Sequence, residues 1–204
     1  MLLTKIIVVP NITGTLTANK MTARALLLAM KNMMLDDPTI TLGAYVNENC
    51  PSLSAVDLLA NLIAVNTMNE TVLYCNDETG KLESTAGNPT EVALLTLVHD
   101  LGMNYEKIRN STRGRSSVGK LGEYLAEGKM FGFSSARKMM SWAVPKDDGG
   151  YRIYSKGAQE VLMARCNRFI NENGEVQELT AEATAEMHSV AQIYARRGMR
   201  CIGL

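Results

Sequence analysis

The amino-acid sequence predicts a mixed α+β fold, in which an antiparallel β-sheet is flanked by helices. Several segments have a capping residue followed by apolar residues at helical spacing, which is typical of helices. Between residues 130 and 155, alternating apolar residues surround a tight turn, which is typical of a β-hairpin. Because strands and helices do not alternate regularly along the chain, a parallel sheet is not expected.

The order of the elements follows from their caps and turns. Helices are expected where a capping residue or a glycine-containing turn precedes an apolar run, over 52–66, 88–102, 157–166 and 180–198. Strands are expected over 4–9, 130–144, 151–155 and 199–204, with turns at 76–80, 146–150 and 171–174. The segment 21–34 fits either a helix or a strand, and 110–122 is predicted to be a loop.

Composition indicates an ordinary globular domain and excludes several classes of protein. Of the 204 residues, 46% are hydrophobic and 21% are charged. The 21 basic and 21 acidic residues cancel, so no global positive field predicts binding to nucleic acid or to an anionic membrane. The four scattered cysteines form no CxxC pair and fit reduced thiols. No apolar run approaches the ~20 residues that would span a bilayer.

A local excess of positive charge lies at Arg109, Arg113, Arg115 and Lys120, interleaved with serine and glycine. Nucleic-acid patches usually combine basic and aromatic side chains, and this stretch has no aromatic residue among its basic ones. A solvated loop is therefore expected rather than a binding patch.

The segment 155–158 (SKGA) is a candidate anion site, because it lies between a predicted strand and a predicted helix. A helix start offers free N–H groups and the positive end of the helix dipole. Lys156 adds a mobile charge, and Gly157 would let a ligand approach closely. Taken alone, the pattern is more typical of a plain turn with an exposed lysine.

Two further segments could contact a nucleotide. Phe133 and Lys138 belong to FSSARK at 133–138, where an aromatic ring could stack an adenine and cations could face phosphates. Taken alone, a strand phenylalanine is more typical of the core. Asn88, Pro89 and Glu91 are typical of a helix start with a capping box, and the Glu91 carboxylate could also accept a hydrogen bond from an adenine amino group.

The turn at 11–17 (NITGTLT) follows the first predicted strand. The carboxyl end of a strand is where a phosphorylated side chain would sit in a parallel-sheet phosphotransferase.

Together and in this order, these segments resemble the cytoplasmic part of P-type ATPases. The string NITGTLT, followed by ANKM, is similar to the phosphorylation signature DKTGTLT with its trailing TxNxM. FSSARKMMS resembles FNSVRKSMS, YSKGAQEVL resembles MYSKGASEIIL, and GNPTEVALL resembles GNKTECALL. LLANLIAVN at 58–66 also matches a helix of the nucleotide domain. The combination is far more specific than any motif alone, and plasma-membrane-type calcium pumps are the nearest group, before sarcoplasmic-type ones.

The resemblance implies that 21–204 form a nucleotide-binding domain and that 1–20 are a remnant of the strand and hinge of a phosphorylation domain. It implies that Phe133 stacks on the adenine of ATP and that Lys156 and Gly157 line the base pocket. Lys138 would lie beside this pocket or toward the phosphates, and Glu91 would touch the adenine edge. ATP would bring Mg²⁺ with it.

The same resemblance places Arg200 where the family has an arginine that contacts the phosphates. Ser135 stands at a position that is arginine in some relatives, so that its phosphate contact is weakened here. The implied parent is a calcium-transporting pump, whose phosphorylation and transmembrane domains would be the partners of this domain on the cytoplasmic face of a membrane. We expect the chain itself to be monomeric and to bind no nucleic acid.

The chain departs from the family at the phosphorylation signature, where Asn11 replaces the acceptor aspartate and Ile12 the following lysine. An amide cannot become an aspartyl phosphate, so the chain is expected to bind ATP without hydrolysing it. Two other functions stay open: a non-catalytic interaction domain of the same fold, and a phosphatase of the haloacid dehalogenase class. The latter needs two aspartates near the turn, which has none.

Overall fold

The computed structural model describes residues 2–3, 5–10, 21–50, 52–113, 117–118, 125–126 and 128–204, with the backbone alone described for 2–3, 5–10, 117–118 and 125–126. The described helices are α1 (Leu42–Asn49), α2 (Leu53–Val65), α3 (Pro89–Asp100), α4 (Tyr105–Arg113), α5 (Gln159–Met163) and α6 (Ala181–Arg196). The first described strands are β1 (Leu2–Leu3), β2 (Lys5–Pro10), β3 (Met21–Leu28), β4 (Lys31–Met34), β5 (Val72–Cys75), β6 (Leu82–Ala86), β7 (Ser117–Val118) and β8 (Leu125–Ala126). They are followed by β9 (Lys129–Ser134), β10 (Met139–Pro145), β11 (Tyr151–Ala158), β12 (Arg168–Ile170), β13 (Val176–Glu178) and β14 (Arg200–Gly203).

Seven of these strands form one antiparallel sheet in the order β4-β3-β2-β14-β11-β10-β9. Successive residues of β3 point to opposite faces of the sheet. Leu26 and Leu28 pack with the buried side chains of α2 and α3, whereas Ala25 and Leu27 pack with those of α6. Helices therefore cover both faces, and the predicted α+β class with an antiparallel sheet and flanking helices is confirmed.

The segment 21–34, which fitted either helix or strand, is a β-hairpin. Its turn residues Ala29 and Met30 have φ angles of 51° and 62°, as a two-residue hairpin turn of the favoured twist requires. Neither residue is the glycine or asparagine that usually marks such a turn, which explains why the sequence pattern could not identify it.

The capped helices follow the predictions closely. The side chains of Ser52, Asn88 and Thr180 accept hydrogen bonds at the N-termini of α2, α3 and α6. Gly102 and Gly198 follow α3 and α6 with positive φ angles of 77° and 74°, as helix C-caps require. The sequence pattern did not predict α1, or the hairpin of β5 and β6 around the predicted turn at 76–80.

The prediction of a solvated loop at 110–122 was wrong in part. Arg109 and Arg113 lie on α4, where Arg109 is buried and Arg113 is half-buried. Arg109 Nε donates to Ala64 O at 3.2 Å, and Arg113 Nη2 donates to Val65 O at 2.7 Å. The last carbonyl groups of a helix need such donors, so both arginines cap the C-terminus of α2. Arg115 and Lys120 lie outside the described residues.

The prediction of one strand over 130–144 was also wrong, because β9 and β10 form a hairpin. The chain reverses in a turn at 135–138, in which Lys138 has a φ angle of 51° and its N–H donates to Ser134 O at 2.7 Å. The helix expected at 157–166 is shorter, since Gly157 and Ala158 still belong to β11. They pair with Gly203 and Ile202 of β14. Lys156 therefore lies in a strand and not at a helix entrance.

The backbone of β2 pairs with β3 on one side and with β14 on the other. It thus belongs to the same sheet as the following strands, and a domain boundary at residue 20 stays a prediction. The turn at 11–17, with Asn11 and Ile12, lies outside the described residues. Within the described part of the chain, no helix has both the length and the apolar character needed to cross a membrane.

Candidate functional site

A cavity of about 530 Å³ opens where the N-terminus of α3 meets β10, β11 and β14. This volume falls in the range of small-molecule sites, about 300–1,000 Å³. Its lining combines polar, charged and apolar side chains and comprises Asn88, Thr90, Glu91, Phe133, Lys138, Met140, Lys156, Gly157, Ala158, Glu160, Arg200, Cys201 and Ile202.

Six of the seven residues singled out from the sequence line this one cavity: Glu91, Phe133, Lys138, Lys156, Gly157 and Arg200. They come from segments up to 109 residues apart in the chain (from 91 to 200). Ser135 does not line the cavity, because it lies exposed in the turn between β9 and β10.

The rim of the cavity consists of Phe133, Lys138 and Arg200, all of which are exposed. Phe133, at 66% exposure, leaves most of its ring free to contact a ligand. Lys138 Nζ lies 3.8 Å from Glu160 Oε1, and both side chains are more than half exposed. An ion pair of this kind contributes little to stability, so Lys138 can turn toward an anionic ligand.

The floor of the cavity consists of Glu91 and Lys156, which are 5% and 8% exposed. Lys156 Nζ donates to Glu91 Oε1 at 2.5 Å. The other oxygen, Glu91 Oε2, accepts from Met68 N at 3.1 Å and from Thr71 Oγ1 at 2.7 Å. The buried charges are therefore paired and hydrogen-bonded, as buried ions must be.

The protonation of Lys156 depends on opposing effects. Burial lowers the pKa of its ammonium group, because desolvation disfavours the charged form. The Glu91 carboxylate opposes this shift, and the cations Arg113 and Arg109 add to it. The net direction is a lowered pKa for Lys156. Glu91 is thus the group that keeps a positive charge at the floor.

The start of α3 places Glu91 in the cavity. Asn88 Oδ1 accepts from Thr90 N at 2.9 Å and from Glu91 N at 3.4 Å, so Asn88 is the cap that the sequence predicted. Glu91 was expected to reach back toward Asn88 as in a capping box. Its carboxylate contacts Met68, Thr71 and Lys156 instead, because these groups offer a buried cation and two donors.

Gly157 is required by close packing against the turn that carries Lys138. A β-carbon at residue 157 would lie 2.3 Å from Lys138 O and 2.7 Å from Met139 Cα. Next to it, Ala158 N donates to Lys138 O at 2.9 Å. The glycine therefore lets the turn sit directly on β11, which fixes the position of Lys138 at the rim.

Several lining residues were not predicted. Thr90 and Glu160 lie inside the strings GNPTE and SKGAQE, so their closeness to the singled-out residues was the available signal. Cys201 and Ile202 reach the cavity because β14 pairs with β11, and no local pattern shows a long-range pairing. Among the described residues, no group of three or more His, Cys, Asp and Glu side chains could hold a metal ion.

Comparisons with known proteins identify the family of the chain. The chain is 34% identical over 192 residues to plasma membrane calcium-transporting ATPase 2 of Oreochromis mossambicus, which covers 93% of this chain and 16% of that protein. It is 30% identical to the human plasma membrane calcium-transporting ATPases 4 and 1, over 93% and 94% of this chain and 14% of each of them. The chain thus spans about a sixth or less of the length of these relatives. Residues 56–204 match the family described as "P-type ATPase, cytoplasmic domain N", and the chain belongs to this family.

Proposed function

We propose that this chain binds ATP, as its magnesium complex, in the cavity formed by the floor and the rim. The observation that carries the proposal is that an exposed aromatic ring and three cationic side chains, Lys138, Lys156 and Arg200, line one cavity. An aromatic ring provides a stacking platform for a base. Cations provide partners for phosphate oxygens.

Phe133 is the proposed base platform. Stacking of a base on an aromatic side chain contributes about 1–3 kcal/mol to binding. Because the ring is already exposed in the free chain, a ligand can cover it and leave again without disturbing the core, which suits reversible binding. In the proposed complex, Lys156, which lies deeper in the cavity, contacts the base, and the exposed Lys138 and Arg200 at the rim contact the phosphates.

We propose that the nucleotide brings its own magnesium ion, because the two described carboxylates that line the cavity lie beside lysines. Glu91 is paired with Lys156, and Glu160 lies near Lys138. Both carboxylates thus lie beside lysines, so Mg²⁺, which prefers oxygen ligands, would be held mainly by the phosphates and water that arrive with the nucleotide. In the proposed complex it neutralises phosphate charge, while this chain's residues bind and orient the nucleotide.

The role of such a domain is positioning and not chemistry. We propose that it holds the γ-phosphate toward a phosphorylation domain and moves with the nucleotide by hinge motion. Weak affinity, in about the millimolar range or ~4 kcal/mol, is enough in a cell and allows ADP to leave. The similar proteins are named calcium-transporting ATPases of the plasma membrane, and we propose that the parent transports calcium and has transmembrane and phosphorylation domains.

We further propose that the chain by itself binds ATP without hydrolysing it. Asn11 and Ile12 stand at the positions that resemble the acceptor aspartate and its lysine. An amide nitrogen and oxygen are poor nucleophiles and give no aspartyl phosphate. An assay of phosphate release from MgATP should show no activity above background, and activity that Asn11→Ala leaves intact would show that another group reacts.

Nucleotide titration tests the proposal directly. Phe133→Ala should weaken the binding of MgATP at least about fivefold in calorimetry or NMR, since stacking is lost. Phe131→Ala is the matched control, because Phe131 is also exposed on β9 but does not line the cavity; it should leave the affinity unchanged. A non-saturating response in the unmodified chain would refute ATP binding and favour an interaction domain of the same fold.

A further inference from the structure

The charged side chains that line the cavity are balanced differently at the floor and at the rim. At the floor, Glu91 and Lys156 are paired at 2.5 Å and both are buried, so their charges largely cancel. The rim has two cations, Lys138 and Arg200, and among the described lining residues the one carboxylate beside it is Glu160. The charge that an anionic ligand meets at the rim therefore depends on Glu160.

Glu160 is held beside the rim by the packing of α5 against β14. It lies in the first turn of α5. A β-carbon at Gly203 would lie 3.1 Å from Gln159 Cα and 3.2 Å from Leu162 Cβ, so the glycine allows the helix to lie directly on the strand. The Glu160 side chain is 57% exposed, and its Oε1 lies 3.8 Å from Lys138 Nζ. The carboxylate is therefore held near Lys138 yet remains open to solvent.

A triphosphate would meet opposing forces at this rim. The cations attract its phosphate oxygens, whereas the Glu160 carboxylate repels them, because like charges that lie close together disfavour each other. Mg²⁺ cancels two of the negative charges of a triphosphate, and the water that it retains can donate hydrogen bonds to a carboxylate. The repulsion from Glu160 is therefore weaker for the magnesium complex than for the magnesium-free nucleotide.

We infer that Glu160 is a specificity-determining residue, which shifts the preference of the cavity toward the magnesium complex of a nucleotide and away from the magnesium-free form. The inference rests on the proposed function and specifies which form of the ligand the site favours. Lys138 and Arg200 attract the more highly charged form more strongly, and Glu160 offsets this preference. The effect comes from the charge of Glu160 and requires no direct bond to the metal ion.

Calorimetric titration with MgATP, and with ATP in the presence of a chelator, tests the inference in the unmodified chain and in Glu160→Gln. The titrations are run at equal ionic strength and at about pH 8, well above the phosphate pKa of about 6. Glu160→Gln should strengthen the binding of magnesium-free ATP about three- to fivefold and that of MgATP by less than about twofold, because exposed charges interact modestly. Glu160→Lys should move the ratio of the two affinities further in the same direction. An unchanged ratio in both variants would overturn the inference.

Glu186→Gln is the matched control. Glu186 is exposed on α6 and does not line the cavity, so the variant makes the same change in net charge away from the site and should leave both affinities as they are. Because Glu160 is more than half exposed, Glu160→Gln should fold as the unmodified chain does, which circular dichroism would check. If Glu186→Gln changed the ratio as much as Glu160→Gln does, the effect would come from net charge, and the inference would fail.

A double-variant cycle distinguishes direct repulsion from the release of Lys138. If Glu160 acted only by holding Lys138 away from the ligand, any change that Glu160→Gln causes would vanish when it is combined with Lys138→Gln. Direct repulsion predicts instead that the change in the ratio persists in the double variant. A change that disappears there would refute the inference that Glu160 itself selects the form of the ligand.

Magnesium-free AMP, ADP and ATP provide a second test with the same variants. The gain in affinity from Glu160→Gln should increase with the number of phosphates, since each phosphate adds negative charge. An equal gain for all three nucleotides would mean that Glu160 acts on the base or the sugar, which contradicts the inference.

The outcomes also separate this inference from the proposed function. Saturable binding of MgATP, with the same ratio of affinities in Glu160→Gln as in the unmodified chain, would support the function and refute the inference. Failure of the unmodified chain to bind ATP with or without magnesium would refute both.

Discussion

The rim and the floor of the cavity carry similar charges in opposite surroundings. Lys138 and Arg200 at the rim are exposed to solvent, whereas Lys156 at the floor is almost completely buried and touches Glu91. Water screens the rim charges, so each contributes little to stability and remains available to a ligand. The floor charges have lost their hydration and depend on each other.

Because of this difference, substitutions in the two parts of the site should affect nucleotide affinity and folding stability differently. A change at the rim should alter the affinity for the nucleotide and leave the free energy of unfolding nearly constant. A change at the floor should alter both, because the same contacts that place Lys156 also satisfy buried charges. Substitutions at the floor should therefore have larger effects than substitutions at the rim.

Glu91→Ala should lower the free energy of unfolding by about 3–5 kcal/mol, because it leaves Lys156 as a buried charge without its anion. It also removes the acceptor for the hydroxyl of Thr71 and the N–H of Met68. Urea denaturation followed by circular dichroism would measure the change. Glu160→Ala is the matched control, since Glu160 lines the same cavity but is exposed, and should change stability by less than about 0.5 kcal/mol.

A double variant tests whether the lower stability of Glu91→Ala comes from the unpaired charge. If the cost comes from an unpaired buried charge, Glu91→Leu combined with Lys156→Met should recover much of it, because apolar pairs can replace buried ion pairs. A Glu91→Ala variant as stable as the Glu160→Ala control would show that the floor is not coupled to folding.

Gly157→Ala should lower the free energy of unfolding by about 1–3 kcal/mol, as overpacking usually does. The added methyl group would meet the backbone of Lys138 and Met139, and the turn that carries Lys138 would have to move. The affinity for MgATP should therefore fall as well. Gly132→Ala is the control, because a β-carbon there meets nothing within 4 Å. Equal free energies of unfolding for the two variants would show that the turn can move without loss of stability.

Local chemistry made much of the fold predictable from the sequence. A helix cap depends on a few adjacent residues, so Asn88 and Thr180 could be identified as the starts of α3 and α6. The candidate residues of the site could be singled out for a different reason, namely that strings such as FSSARK and SKGA resemble a known family. Neither argument required the distances between the segments.

The remaining features depend on contacts between distant parts of the chain. The burial of Arg109 and Arg113 follows from the C-terminal carbonyls of α2, more than 40 residues earlier. The direction of the Glu91 carboxylate follows from Lys156, 65 residues later. A pattern that covers a few residues contains neither partner, and both arginines therefore resembled solvated charges.

The smallest expected effects lie at the rim. Lys138→Ala and Arg200→Ala should each weaken MgATP binding about two- to fivefold at low ionic strength, or ~0.5–1 kcal/mol, because exposed charges interact modestly. Lys146→Ala is the matched control, since Lys146 pairs with Asp148 in an exposed turn and does not line the cavity. Titration at several salt concentrations measures the effect, which should shrink as screening increases. If the loss for Lys138→Ala or Arg200→Ala persisted at high salt, the rim cation would be desolvated in the complex. It would then behave like the buried charges of the floor and not like a screened surface charge.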